Sequence, residues 1–142
     1  MGIKGRIVAL DIGTKRIGVA VCDPMWIAVS KVGLVERKNS PNGDQMALDE
    51  IKKICDVYNT KTILIGVPYN MDGTLGFQAE NCINFIKPLE GEYKILYHDE
   101  RLSSFEAEEI LKKEGKKYTK NKGMVDVLSA CIILQDYINE KG

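Results

Sequence analysis

The chain reads as a mixed α/β sheet with helices on both faces, and three observations predict it. Short runs rich in Val and Ile, separated by tight polar turns, open the chain at residues 7–12, 16–21 and 26–35. From Asp44 the apolar period becomes helical, and helical and strand-like segments then alternate to the end. Among them Thr62-Ile63-Leu64-Ile65-Gly66-Val67 is almost wholly apolar, the pattern of a strand covered on both faces.

The first two runs form a hairpin through Asp11-Ile12-Gly13-Thr14-Lys15-Arg16, which sets an acid at the end of a buried strand beside two bases. The third run, 26–35, is bracketed by Asp23-Pro24 and by the turn-rich residues 39–43, with a bulge expected near Gly33. Ala47, Leu48, Ile51, Ile54, Cys55 and Tyr58 mark one helix face, ending near Asn59. After the fourth strand comes a loop with an Asp72-Gly73 turn. Leu75, Ala79, Cys82, Ile83 and Ile86 then predict a second helix, stopped at Pro88. Residues 93–98 form the fifth strand and run into Asp99-Glu100-Arg101. Ser103 and Glu106 make a capping box for a third helix that Gly115 ends. A last helix over about 121–139 sets Val125, Leu128, Cys131, Ile132 and Ile138 on its buried side.

Tight turns make the first three strands antiparallel, and helical crossovers make the later ones parallel with right-handed connections. If strands one, four and five are neighbours, their C-terminal ends share an edge, where open α/β sheets bind ligands. Asp11, Asn70, Asp72, Asp99 and Glu100 stand at those ends.

The 142 residues suit one domain, 1–142, and 44% hydrophobic with 28% charged residues is ordinary for a globular protein. No apolar run reaches the ~20 residues that cross a bilayer, and residues 1–6 lack a secretory signal, so a cytoplasmic protein without a membrane partner is expected. Cys22, Cys55, Cys82 and Cys131 are widely spaced in apolar contexts, the pattern of reduced core thiols. A net charge of +0 argues against a protein that coats nucleic acid, yet six lysines stand against Glu114 alone in residues 112–122. Taken alone, such a run is a solvated face.

Asp126 lies in an otherwise apolar stretch, on a helical stripe with Lys122, Ser129, Ala130 and Ile133. A carboxylate there costs several kcal/mol, in order of magnitude, unless it is paired or bound to a metal. The alternative is an acid of the helix's first turns, favoured by the macrodipole and tied to Lys122. With Asp11 and Glu100 it completes a trio of hard oxygen ligands suited to Mg²⁺ or Mn²⁺. Two such ions ~4 Å apart can activate water and stabilise the leaving oxygen of a phosphodiester. Lys15, Arg16, Arg101 and the lysine run would hold flanking phosphates.

Ala9-Leu10-Asp11-Ile12-Gly13-Thr14-Lys15-Arg16-Ile17-Gly18-Val19-Ala20 resembles the opening motif of the YqgF (RuvX) family, RuvC-like proteins of the RNase H fold. The resemblance continues through residues 66–74, 99–104 and 126–137, in order and over nearly the whole chain. Ser103-Ser104 stand where the family often has two threonines, and Ser129 and Cys131 where alanine is common. The resemblance implies an RNase H-like fold with a five-stranded mixed sheet. It also implies a metal-dependent nuclease that trims the 5′ end of pre-16S rRNA in ribosome biogenesis, with Asp11, Glu100 and Asp126 as catalytic, metal-holding acids. Lys15, Arg16, Asn70, Arg101, Ser103, Lys117 and Lys122 are the expected substrate contacts. Holliday junction cleavage is the alternative activity, and a non-catalytic RNA-binding module of the same fold is a further one.

Asp11-Ile12-Gly13-Thr14 also resembles the first phosphate loop of actin-like kinases, but this chain is too short for their two lobes. Strand alternation allows only one of Asp99 and Glu100 to meet the metal, and the resemblance favours Glu100. His98 is a general acid or, more commonly at such a position, a structural hydrogen-bonding residue. The expected partner is nucleic acid, an rRNA precursor or a structured DNA junction, bound by a monomer or weak homodimer.

Overall fold

In the computed structural model, which describes residues 4–100, 113 and 122–141, five strands form one sheet. They are β1 (Val8–Ile12), β2 (Arg16–Cys22), β3 (Val29–Glu36), β4 (Thr62–Val67) and β5 (Lys94–Asp99), in the spatial order β3-β2-β1-β4-β5. The pairs β1–β2 and β2–β3 are antiparallel, whereas β1–β4 and β4–β5 are parallel. The C-terminal ends of β1, β4 and β5 therefore share one edge, as the order of elements predicted.

Alternation along the strands divides the core in two. Val8, Leu10 and Ile12, with Ile17, Val19, Val21, Ile63, Ile65 and Val67, face α1 (Gly43–Val57) and α2 (Phe77–Ile86). Ala9, Ala20, Cys22 and Leu64 face α3 (Lys122–Lys141) on the other side. This is the expected mixed sheet with helices on both faces.

Several boundaries differ from expectation, each for a local reason. β3 begins at Val29 rather than Trp26, because the Asp23 carboxylate accepts the backbone N–H groups of Met25, Ile27 and Ala28. That turn puts Trp26 at a positive φ of 61°, and its indole N–H donates to the Gly5 carbonyl. Val19 pairs with Gly33 and Ala20 with Lys31, so Val32 is the extra residue of the predicted bulge. Gly33 takes φ 146° there, a backbone that side chains rarely allow. Leu75 lies before α2 and is half exposed, while Pro88 sits in a 3-10 turn, Lys87–Leu89, that continues the helix. Tyr93 is buried just ahead of β5.

The buried side of α3 is also rotated from the predicted one. Val127, Ala130, Ile133, Leu134 and Ile138 line it with Leu128, whereas Val125, Cys131 and Ile132 are only partly covered. The apolar stretch is nearly continuous around this helix, so periodicity alone could not fix its rotation. The predicted third helix with its Ser103–Glu106 box, and most of the lysine run, lie outside the described residues. Within that stretch Lys113 is helical and exposed.

Candidate active site at the C-terminal edge of the sheet

Asp11 is the partly exposed position of β1, between buried Leu10 and Ile12, and its side chain points to the face that α3 covers, in step with Ile7 and Ala9. Its neighbour across the β1–β2 ladder is Gly18. A Cβ on Gly18 would run into the Asp126 carbonyl and the Val127 nitrogen, so the α3 backbone lies directly on β2 at this point. That close approach carries Asp126 towards Asp11.

Glu100, one residue past β5, reaches the same place from the other side. A Cβ on Gly66 of β4 would lie 2.5 Å from Glu100 Oε1 and 2.6 Å from Ile133 Cδ1. The missing side chain at Gly66 is thus the room that the Glu100 carboxylate and Ile133 occupy. Asp11, Gly66 and Glu100 line a cleft of about 250 Å³, whose far wall includes Pro68, Gln78, Asn81 and Cys82. Asp99 does not line it.

Electrostatics reflect the convergence. Burial first, then the charges of Glu100 and Asp126, push the Asp11 carboxyl up to about 7, against a hydrogen bond from the Ser129 hydroxyl that lowers it. Glu100 is raised as well, by burial and then by Asp99. The Cys82 thiol is pushed up to about 11 by burial, then by Glu100 and Asp11. Asp126 has a cationic partner: Arg16 Nε donates to its Oδ2 at 2.6 Å, with both side chains about one-third exposed. The expected tie to Lys122 concerns a side chain that lies outside the described set.

Among the described residues no group of three His, Cys, Asp or Glu side chains stands at metal-binding separation. The donor chemistry of Asp11 and Glu100 nevertheless fits a hard divalent cation. Two buried carboxylates raise each other's charging cost, and a cation between them would remove it. Arg16 engages Asp126 through Oδ2, which leaves its second carboxylate oxygen outside that bond.

The remaining expected contacts fall in several places. Lys15 is exposed on the β1–β2 turn and lines a neighbouring cleft. Asn70 organises its own loop: its Nδ2 donates to Thr74 Oγ1 at 3.1 Å, and its backbone N–H donates to the Thr74 carbonyl. It does not line the carboxylate cleft. Asp72 accepts from Thr74 in the same turn. Arg101, Ser103 and Lys117 lie outside the described residues. His98 is buried, with Nε2 3.9 Å from Asp136 Oδ2 on α3, away from the cleft lining. All four cysteines are free thiols.

Sequence reasoning missed Arg37. Its guanidinium donates to the Gly13 carbonyl at 2.9 Å, to Asp44 at 2.8 Å and to Asn81 at 3.2 Å, and lies 4.5 Å over the Phe85 ring. It thereby ties the turn after Asp11 to α1 and α2. An arginine just past a strand gives no periodic signal, so nothing in the linear pattern marked it.

The sequence model of one family, described as RuvX: Holliday junction resolvase, matches residues 5–140. A relative from Crocosphaera subtropica is 44% identical over 136 residues, spanning 94% of this chain and 92% of its own length. One from Halothermothrix orenii is 41% identical over 138 residues, spanning 94% of each. Both carry the provisional name pre-16S rRNA nuclease. Among solved structures, T. thermophilus RuvC in complex with a Holliday junction superposes with a TM-score of 0.60 at 9% identity, over 96% of this chain and 95% of that one. The fowlpox virus Holliday junction resolvase gives 0.58 at 13% identity, over 95% and 98%. At such identities the likeness establishes a common RuvC-like fold.

Proposed function

The chain belongs to the RuvX family, and from that premise we propose that it is a metal-dependent nuclease acting on the 5′ region of pre-16S rRNA. The observation that supports this reading is that Asp11 and Glu100 line one cleft at the C-terminal edge of the sheet, while the Asp126 charge is also felt at Asp11.

Asp11, Glu100 and Asp126 are the side chains that would hold Mg²⁺ or Mn²⁺. When bound, such an ion supplies an activated water and neutralises charge developing on a phosphodiester. The protein's own groups prepare that place. Burial keeps the Asp11 and Glu100 carboxyls reluctant to ionise without a cation, and the Ser129 hydroxyl orients Asp11. Arg16 balances the charge of Asp126. Lys15 is placed to meet a backbone phosphate beside the cleft. Arg101, Ser103, Lys117 and Lys122 are proposed to extend that contact, and Asn70 to meet substrate from its loop.

The family description and the resolvase fold neighbours favour a four-way DNA junction as the second reading. Since a resolvase cuts two strands as a symmetric dimer, solution mass bears on the choice: we expect a monomer or weak homodimer, which suits RNA trimming. Among the described residues no helix is long and apolar enough to cross a membrane, and we place the protein in the cytoplasm with ribosome assembly. The deciding experiment incubates purified protein with a 5′-extended 16S precursor and with a mobile four-way junction, in Mg²⁺ or Mn²⁺. Precursor trimming that disappears in Asp11→Asn, Glu100→Gln and Asp126→Asn is expected. Cleavage of the junction alone moves the assignment to resolvase. Failure to cut either substrate leaves the non-catalytic binding module.

A further inference from the structure

Beside the carboxylate cleft lies a second, larger one of about 480 Å³, lined by Lys15, Arg37, Lys38, Ser40, Asp44 and Asn81 among others. The two clefts share Thr14 and Asn81 in their walls, so they adjoin at the β1–β2 turn. We propose that this second cleft is the phosphate-binding track for the substrate strand leaving the cleavage position, with Lys38 and Lys15 as its principal contacts. The proposal rests on the nuclease reading above and names where its substrate is gripped.

Charge is the first argument. Of the four charged side chains among the described residues that line the cleft, Asp44 is committed to Arg37 through bonds of 2.8 and 3.3 Å. That pair cancels, and it leaves Lys15 and Lys38, both exposed, as uncompensated cations. The ion pairs among the described residues involve neither lysine. Two unneutralised ammonium groups on one concave wall, with amide and hydroxyl groups from Asn39, Ser40 and Asn81 nearby, suit successive phosphodiesters.

Preorganisation is the second. The Arg37 N–H donates to the Lys15 carbonyl at 2.9 Å, which fastens the two lysine-bearing segments together. Its guanidinium grips the Gly13 carbonyl and Asn81 from beneath. The outer wall folds back on itself through Ser40 N–H to the Lys38 carbonyl and Gly43 N–H to the Ser40 carbonyl, both 3.0 Å. A Cβ on Gly43 would collide with the Lys38 carbonyl, so only glycine permits that fold. A cleft already held in shape spends little ordering entropy on binding.

The test measures binding of a fluorescein-labelled single-stranded RNA and of the same sequence as DNA, in Ca²⁺, across a salt series. It compares wild type, Lys38→Glu, the double variant Lys15→Ala/Lys38→Ala, and Lys53→Glu on the exposed side of α1 as a charge control. Thermal melts verify that each variant is folded. For the double variant we expect affinity to drop about tenfold and the log–log salt slope to shrink by about 1.4, the loss of two phosphate contacts on a single strand. Lys53→Glu should match wild type. The polymer showing the larger loss, RNA or DNA, identifies the source of the phosphates. If wild type binds and cleaves but the double variant keeps its slope, or Lys53→Glu weakens binding equally, the track is overturned and the nuclease reading survives. If the slope shrinks as expected but wild type cuts nothing, the track stands and the nuclease reading falls. Wild type that binds neither polymer overturns both.

Discussion

The same strands present two differently built faces to the helices that cover them. Towards α1 and α2 they turn Leu10, Ile17, Val19, Ile63 and Ile65, all fully buried in a continuous apolar layer. Towards α3 the alternate positions are Ala9, Asp11, Gly18, Ala20, Leu64 and Gly66. One face is filled with branched side chains, whereas glycine or alanine stands at four of these six positions on the other. Paring it down lets the α3 backbone rest on β2 and gives the Glu100 carboxylate its space over β4. Packing volume on that face has been exchanged for carboxylate placement, a trade expected at functional sites rather than in cores.

Substitutions on the two faces should therefore have separable effects. The largest concerns Asp11→Asn, which should lower cleavage by roughly 10³-fold, as for loss of a charge-stabilising group. The same variant should be more stable than wild type at neutral pH. With its carboxyl raised to about 7 from 3.8, native Asp11 keeps a proton that the unfolded chain has released. Its contribution is therefore full below about pH 4 and is lost as pH rises through 7, on the order of 4 kcal/mol without a cation. Melting curves in EDTA should show the variant's Tm advantage growing from pH 4 to 7, and Mg²⁺ at pH 7.5 shrinking it. A pH-independent difference would falsify the buried-carboxylate account.

Next in size is Leu10→Ala on the opposite face. It should cost about 3 kcal/mol in urea unfolding through the cavity it leaves. Cleavage per folded molecule should hold, since the next side chain along, Asp11, is on the other side. An equal fall in kcat would mean the faces are not independent. Gly18→Ala should cost about 2 kcal/mol, because the new Cβ must push α3 off β2. Here activity should fall further than stability, since the displaced helix carries Asp126. Smallest in stability is Arg16→Gln, at most about 1 kcal/mol for a pair one-third exposed. If Arg16 competes with a cation for Asp126, calorimetry should find tighter Mn²⁺ binding in this variant. Weaker binding would instead make Arg16 a support of the metal-ready geometry.

Much of this was legible beforehand where the pattern is local. Strand and helix order, the antiparallel start and the bulge at Gly33 follow from residue periods and turn chemistry, which act over a few positions. The ends of elements were less legible, as at Trp26, where the Asp23 side chain competes with the ladder for backbone N–H groups. Arg37 left no trace in the pattern, since its partners Gly13, Asp44 and Asn81 come from three separate segments.

By itself, then, the sequence determined the sheet's composition, the family and the identity of three acids worth watching. Only the tertiary structure decided which face Asp11 and Glu100 share, that Arg16 holds Asp126, and that a lysine-walled cleft adjoins the carboxylates. The reason is physical. Propensity and period act between neighbours in the chain, whereas the close approach allowed by Gly18 and Gly66 exists only once distant segments have packed.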